Sequence, residues 1–187
     1  LWQRGRLKPD ETATFSTKSG LLHCTRCEKD RIMMDFPAEV ATPCTPHEDL
    51  VKGIGAPAEK FLVNRLHYMV CLKEPGVVRE LRPDLTKLGR LDRRGVIVTS
   101  PSDDGRFDFL SRYFVPKMGI NEDPVTGSAH CSLGPYWAER LHKNDLTGYQ
   151  ASQRGGIVGV RVRMNDNRVD LIGDAITVMH AQMLVGV

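Results

Sequence analysis

Asp123, Gly127 and Ser128 are the residues of this chain best suited to chemistry. They lie in the run Glu122-Asp123-Pro124-Val125-Thr126-Gly127-Ser128-Ala129-His130. The proline after Asp123 keeps the Asp123 backbone extended rather than helical. Gly127 permits a positive φ or the close approach of a ligand. Ser128 is a candidate N-cap for a helix predicted to run to about His142. Free N–H groups at a helix start, together with the helix dipole, suit a carboxylate or enolate oxygen. A carboxylate beside such an anion site suits proton abstraction next to a carboxyl group. Asp123 is therefore the candidate catalytic residue, and Asp123, Gly127 and Ser128 the candidate substrate-binding set. An ordinary turn followed by a helix cap would use the same residues, so mechanics alone leaves both readings open.

Other constellations carry less. His130 and Cys131 have the residue types of a Cys/His nucleophile pair, but neighbours on a helix point about 100° apart, and both are expected in the core. Gln153-Arg154-Gly155-Gly156 is expected to be a turn that brings Arg154 to a buried carboxylate, not an RNA-binding tract. Cys24 and Cys27 form a lone C-x-x-C in a stretch that reads as extended. Side chains three apart on a strand face opposite ways, and no second Cys/His pair sits at ligand spacing, so no metal site is expected. Gly53-x-Gly55 follows a helix rather than a strand and is not a dinucleotide fingerprint.

The elements that must position these residues are mostly short strands. Thr12–Thr17, Leu21–Cys24 and Arg31–Phe36 read as strands, the first two joined by a turn at Lys18-Ser19-Gly20 and the third stopped by Pro37. Thr45-Pro46-His47-Glu48 has the pattern of a capping box with proline at the first helical position, opening a helix through Leu50, Val51 and Ile54 that ends near Gly53 and Gly55. Lys60–Leu72 reads as one strand with a bend, and Asp84 as the cap of a short helix. Gly95–Ser100 is a buried strand and Phe107–Pro116 another extended segment. The helix from about Ser128 is apolar on more than one face and should be enclosed. Ile157–Met164 and Arg168–Ile172 form a hairpin about Asn165-Asp166-Asn167, and Ala175–Val185 a last strand or strand pair.

The chain has 187 residues, 41% apolar and 26% charged, with a formal charge of +3. Its cations are dispersed, which offers no support for nucleic-acid binding. No apolar run is long enough to span a bilayer, so no membrane association is expected. Five cysteines without a visible secretory leader point to reduced thiols and a cytoplasmic location. The chain starts at Leu1, and Leu1–Leu7 reads like the end of a helix, so the sequence is expected to begin inside a longer protein.

The run from Glu122 to His130 closely resembles the signature of the PhzF, or phenazine-biosynthesis-like, family. Phe109-x-Ser111-Arg112-x-Phe114-x-Pro116, Gly119-Ile120, Arg154-Gly155-Gly156 and Asp170-Leu171-Ile172-Gly173 resemble further family segments. So do Phe15-x-Thr17-x-Ser19-Gly20-x-Leu22 and Met34-Asp35-Phe36-Pro37, and the set looks most like the animal branch. The resemblance implies an α+β, diaminopimelate-epimerase-like fold, with a mixed and mostly antiparallel β-barrel around a central helix in each of two domains. Residues 1–43 would be the end of the first domain, 44–174 the second domain, and 175–187 a closing strand returning to the first. It further implies an isomerase that shifts a proton on a small carboxylated molecule, without metal or organic cofactor. A first-domain glutamate carries the proton, and Asp123, Gly127 and Ser128 match the family's substrate-holding residues. The first-domain Cys-Gly-His-Ala-Thr run is not in these residues, and Glu11 and Glu39 lack the flanking pattern of the glutamate. The chain alone is thus expected to be inactive or very weak. The competing expectations are a non-enzymatic, truncated protein that pairs with itself or another protein through the exposed partial domain, and an unrelated β-barrel binding module.

Overall fold

The strands alternate or run apolar in the manner of a sheet covered on one or both faces, and a single sheet is what they form. The computed structural model describes residues 1–17, 20–28 and 31–181. In chain order the elements are β1 (Ala13–Thr17), β2 (Gly20–Arg26), β3 (Ile32–Pro37), β4 (Thr42–Pro43), α1 (Glu48–Ile54), β5 (Lys60–Val63), β6 (His67–Cys71), α2 (Pro75–Glu80), α3 (Leu85–Gly89), β7 (Gly95–Pro101), β8 (Phe109–Phe114), α4 (Gly127–Leu141), β9 (Asp145–Gln150), β10 (Gly156–Arg163) and β11 (Arg168–Gly173). Among the described residues the sheet has 11 strands in the order β1-β2-β3-β11-β10-β9-β8-β7-β6-β5-β4. Only the β6–β7 and β8–β9 pairs are parallel. The first three strands join the rest where β3 pairs with β11, Met34 opposite Leu171.

Burial explains the strand sequences. Ile97, Met69 and Phe109 on one face pack with Leu133 and Trp137 of α4. Val96, Val98, Val70 and Leu110 on the other pack with Leu50 of α1, Val78 of α2 and Leu88 of α3. Covered on both sides, β7 reads as the unbroken apolar run expected of such a strand. Side chains from β5 to β11 contribute to the α4 cluster, so this part of the sheet wraps the helix, as anticipated for an enclosed helix. β1 and β4 are its two edges, and closure into a barrel by strand pairing is not seen among the described residues.

Several local expectations are corrected. Lys60–Leu72 is not one strand: Asn64 Oδ1 accepts the N–H groups of Leu66 at 2.9 Å and His67 at 2.8 Å, making a turn between β5 and β6. Helix α1 is capped by His47, not Thr45, because the His47 Nδ1 accepts the Asp49 N–H at 3.1 Å. Its other end behaves as expected, with Gly55 left-handed at φ 63°. Pro37 is the last residue of β3 rather than a stop before it. The expected helix end at Leu1–Leu7 is one 3₁₀ turn, Trp2–Arg4. Ala175–Ala181 form no strand. Ile176 and Val178 are exposed there, and the Thr177 hydroxyl donates to the Gln3 side chain. The remainder of that expected strand, and the Lys18-Ser19 turn, lie outside the described residues. Asp84 caps α3 through the Lys87 N–H at 3.1 Å, as anticipated, and the β10–β11 connection turns on Asn167 at φ 53°.

Candidate active site at the start of α4

The loop between β8 and α4 is held from three directions. At its beginning, Arg112 makes a paired contact with Glu122, Nε to Oε1 at 2.7 Å and Nη2 to Oε2 at 2.8 Å, a geometry that fixes both partners. The Arg112 Nη1 also donates to the Leu81 carbonyl at 2.6 Å. Next, the Asp123 N–H donates to the Tyr113 carbonyl at 3.0 Å. At its end, the fully buried Gln150 of β9 reads two residues at once. Its Oε1 accepts the Thr126 N–H at 2.8 Å, and its Nε2 donates to the Asp123 carbonyl at 2.6 Å and to the Thr126 hydroxyl at 3.2 Å. The loop backbone offers one donor and one acceptor, so the orientation of the carboxamide follows from its partners.

Thr126 then turns its hydroxyl hydrogen onto Asp123, Oγ1 to Oδ2 at 2.5 Å. This corrects the expected cap. The cap lies two residues earlier than Ser128: Thr126 is the N-cap residue of α4, with extended backbone, and no side chain caps the helix, because the Thr126 hydroxyl serves the carboxylate instead. Ser128 lies in the first turn, partly exposed. Among the described residues the N–H groups of Gly127 and Ser128 and the Ser128 hydroxyl have no hydrogen-bond partner. Nor is Gly127 at positive φ. A side chain there would meet Leu171 Cδ1 at an ordinary 3.5 Å, so neither backbone strain nor protein packing requires glycine. What the missing side chain leaves is an exposed, bare amide beside Asp123. The three expected residues are thus brought together at one helix start: a carboxylate oriented from behind, and adjacent uncapped N–H donors.

Behind this surface lie two buried histidines. His130 is wholly buried, and its Nδ1 lies 2.8 Å from the Thr126 carbonyl. A carbonyl only accepts, so Nδ1 carries the hydrogen and Nε2 presents a lone pair that has no partner. Burial pushes its pKa down to about 4, against the opposing backbone hydrogen bond. His67 pairs with the Tyr113 hydroxyl at 2.7 Å. Burial lowers that histidine to about 4 and raises the tyrosine to about 12. Cys131 is buried as expected, and burial pushes its thiol up to about 12, which is the opposite of what a nucleophile needs.

Sequence reading missed Gln150 and the His67–Tyr113 pair. For Gln150 a signal existed: Leu146, Gly148 and Gln150 alternate on the buried side of β9, and an amide on an inward position must find partners. The expectation for Arg154 is corrected. Its turn is tied to the loop, with the Ser152 hydroxyl donating to the Pro124 carbonyl at 2.8 Å, but Arg154 is exposed and joins no carboxylate among the described residues. Glu39 pairs with Arg65, and Glu11 accepts the Lys8 N–H at 2.6 Å. Among the described residues no three His, Cys, Asp or Glu side chains cluster as metal ligands. The Cys27 thiol donates to the Arg31 carbonyl. No helix of the described residues is long and apolar enough to cross a membrane.

The family model described as "Phenazine biosynthesis-like protein" matches residues 1–181. An uncharacterized isomerase of Halalkalibacterium halodurans is 40% identical over 186 residues, which cover 99% of this chain and 69% of that protein. The phenazine biosynthesis-like domain-containing protein 2 of Mus musculus is 38% identical, covering 98% of this chain and 68% of its own length. The crystal structure of a phenazine biosynthesis protein of the PhzF family from Enterococcus faecalis superposes with a TM-score of 0.83 at 36% identity, covering 92% of this chain and 64% of that one. The chain therefore spans about two thirds of the length of these relatives.

Proposed function

The chain belongs to the family of phenazine biosynthesis-like proteins, and from that premise we propose that it supplies the substrate-holding side of an isomerase acting on a small carboxylated molecule. The observation that carries this reading is the Asp123 carboxylate, held by Thr126 beside the unpartnered N–H groups of Gly127 and Ser128. In the proposed reaction those amides hold the substrate carboxylate and stabilise negative charge as a proton leaves the neighbouring carbon. Asp123 orients or polarises the substrate through its free oxygen. His130 stays neutral behind the helix turn and fixes the Thr126 carbonyl. The proton itself moves by general acid–base catalysis on a glutamate outside these residues, with no metal or organic cofactor. In this reading residues 1–43 and 175–187 belong with a first epimerase-like domain and 44–174 form the second, the protein is cytoplasmic, and the apolar side of β1–β3 seats a further part of the protein, a second copy or another protein. Phe15, 45% exposed beside Cys24 and Met34 at a 370 Å³ cavity, supports that seat.

The test adds a dihydro-hydroxyanthranilate, a small carboxylated molecule that the family resemblance implies, to the ¹⁵N-labelled 187-residue chain in ordinary water to read the amides, and in a parallel sample in deuterated buffer to read the substrate by NMR. The amides of Gly127, Ser128 and Ala129 are expected to shift saturably, and these shifts should weaken in Asp123→Ala. No isomer and no deuterated substrate should accumulate above the buffer control. Robust turnover would overturn the placement of the proton carrier elsewhere, and silence at the start of α4 would overturn the holding role.

A further inference from the structure

A cavity of about 790 Å³ opens at the other end of α4, beside Phe61, Pro135, Tyr136, Arg140 and Met164. Helix geometry puts Arg140 about 20 Å along the axis from Gly127, so this space is separate from the candidate active site. Its volume is that of a small-molecule pocket. We propose that it binds an amphipathic monocarboxylate, apolar body inward against Phe61, Pro135 and Met164 and carboxylate outward on Arg140 and Lys60.

Charge and preorganisation select that ligand. The Arg140 guanidinium lies 5.5 Å from the Tyr136 ring centre and 5.8 Å from that of Trp137. Held near two aromatic rings, it keeps less freedom than an unattached arginine, and less is lost when it grips a carboxylate. Neither Arg140 nor Lys60 forms an ion pair among the described residues, although both act on the same buried thiol, Cys71. Glu139 also lines the space. Among the lining groups Lys60 and Arg140 are the cations that can meet a negative head, while Glu139 in the lining and Glu59, which acts on the same thiol in the opposite sense, limit the positive charge to what one carboxylate can match. The Ala138 carbonyl at the helix end is already taken by the N–H groups of His142 and Lys143, so it does not compete for a cation. The Cys71 thiol and the Tyr136 hydroxyl act on each other, and Phe61, Leu62 and Pro135 leave apolar surface for the body of the ligand.

This inference does not depend on the isomerase reading, and its test is read at different residues. Octanoate, octanol and octylammonium are titrated separately into the ¹⁵N-labelled chain. Octanoate is expected to shift the amides of Phe61, Tyr136 and Arg140 saturably and to bind about tenfold more tightly than either analogue. Arg140→Gln should weaken octanoate about fivefold or more while leaving octanol unchanged. Lys60→Gln, an exposed change on β5, gives a second reading should Arg140→Gln fail to fold, with a smaller loss in the same direction. The proposal is overturned by no saturable shift, by shifts confined to Gly127–Ala129, by equal binding of octanol or octylammonium, or by octanoate affinity unchanged in the folded variants.

Discussion

At the scale of single residues, Gln150 does more for the loop than any residue within it. Its one carboxamide satisfies the Thr126 N–H, the Asp123 carbonyl and the lone pair of the Thr126 hydroxyl. Gln150→Leu is nearly the same size and removes all three. A buried donor or acceptor left without a partner costs about 1–3 kcal/mol, so the variant should lose roughly 2–4 kcal/mol of stability in urea denaturation. Gln150→Glu keeps the acceptor for Thr126 but sets an acidic group, fully buried, against the Asp123 carbonyl, and should cost at least as much. An unchanged midpoint for Gln150→Leu would mean that the loop does not rely on it. The contrast with Asp123 shows what a sequence discloses at this scale. Proline, glycine and serine around Asp123 act through their immediate neighbours, so the loop and the presence of a helix after it were legible, though not the cap. The contacts of Gln150 cross 24 and 27 positions, and nothing local announces them. The same holds for His67 and Tyr113, 46 positions apart.

At the scale of elements, α4 shows how a helix with unfavourable residues is made to fit. Pro135 cannot donate to the Cys131 carbonyl one turn earlier. That carbonyl instead accepts the Glu39 N–H at 3.0 Å, from the crossing between β3 and β4. A break in the helix ladder thus becomes a tie to the sheet edge. Just before it, Gly134 lets the helix lie against β10 and β11. A β-carbon there would sit 2.8 Å from Val160 Cγ1 and 3.3 Å from Val162 Cγ2. Both valines are stiff and buried, so the helix or the strand must shift. Gly134→Ala should therefore destabilise the protein by about 1–3 kcal/mol, despite alanine's better helix propensity of about 1 kcal/mol. A thermal melt showing a stabilised Gly134→Ala would mean that this contact is looser than the geometry says. Period and apolar runs located most elements, since those signals live on one strand or helix. The exact starts were less legible, because caps are chosen by competition: His47 reaches the Asp49 N–H before Thr45 is needed, and the Thr126 hydroxyl is taken by Asp123.

At the scale of the molecule, the two histidines buried around α4 tie stability to pH. Each takes its proton only near pH 4 in the folded chain, against 6.5 for an unperturbed imidazole, and burial is the leading cause in both. Between those values the unfolded chain binds more protons than the folded one, so stability falls as pH falls through that window. At pH 5.5 each histidine should have cost about 1.3 kcal/mol relative to pH 7.5, or roughly 2–3 kcal/mol together. Asp170 works in the opposite direction, since burial raises its pKa from 3.8, and pH 5.5 is chosen to lie above the ordinary carboxylate range. Asp35 sides with the histidines only at lower pH: burial opposes its charge, but Arg168 and Arg163 outweigh that and hold its carboxyl below the usual range. Urea titrations at the two pH values measure the difference directly. His67→Gln should remove about half of the slope while giving up the Tyr113 contact, and the remaining half belongs to His130. A stability that is flat from pH 7.5 to 5.5 would mean that the interior admits charged histidine, and the neutral, lone-pair-bearing His130 behind the start of α4 would go with it.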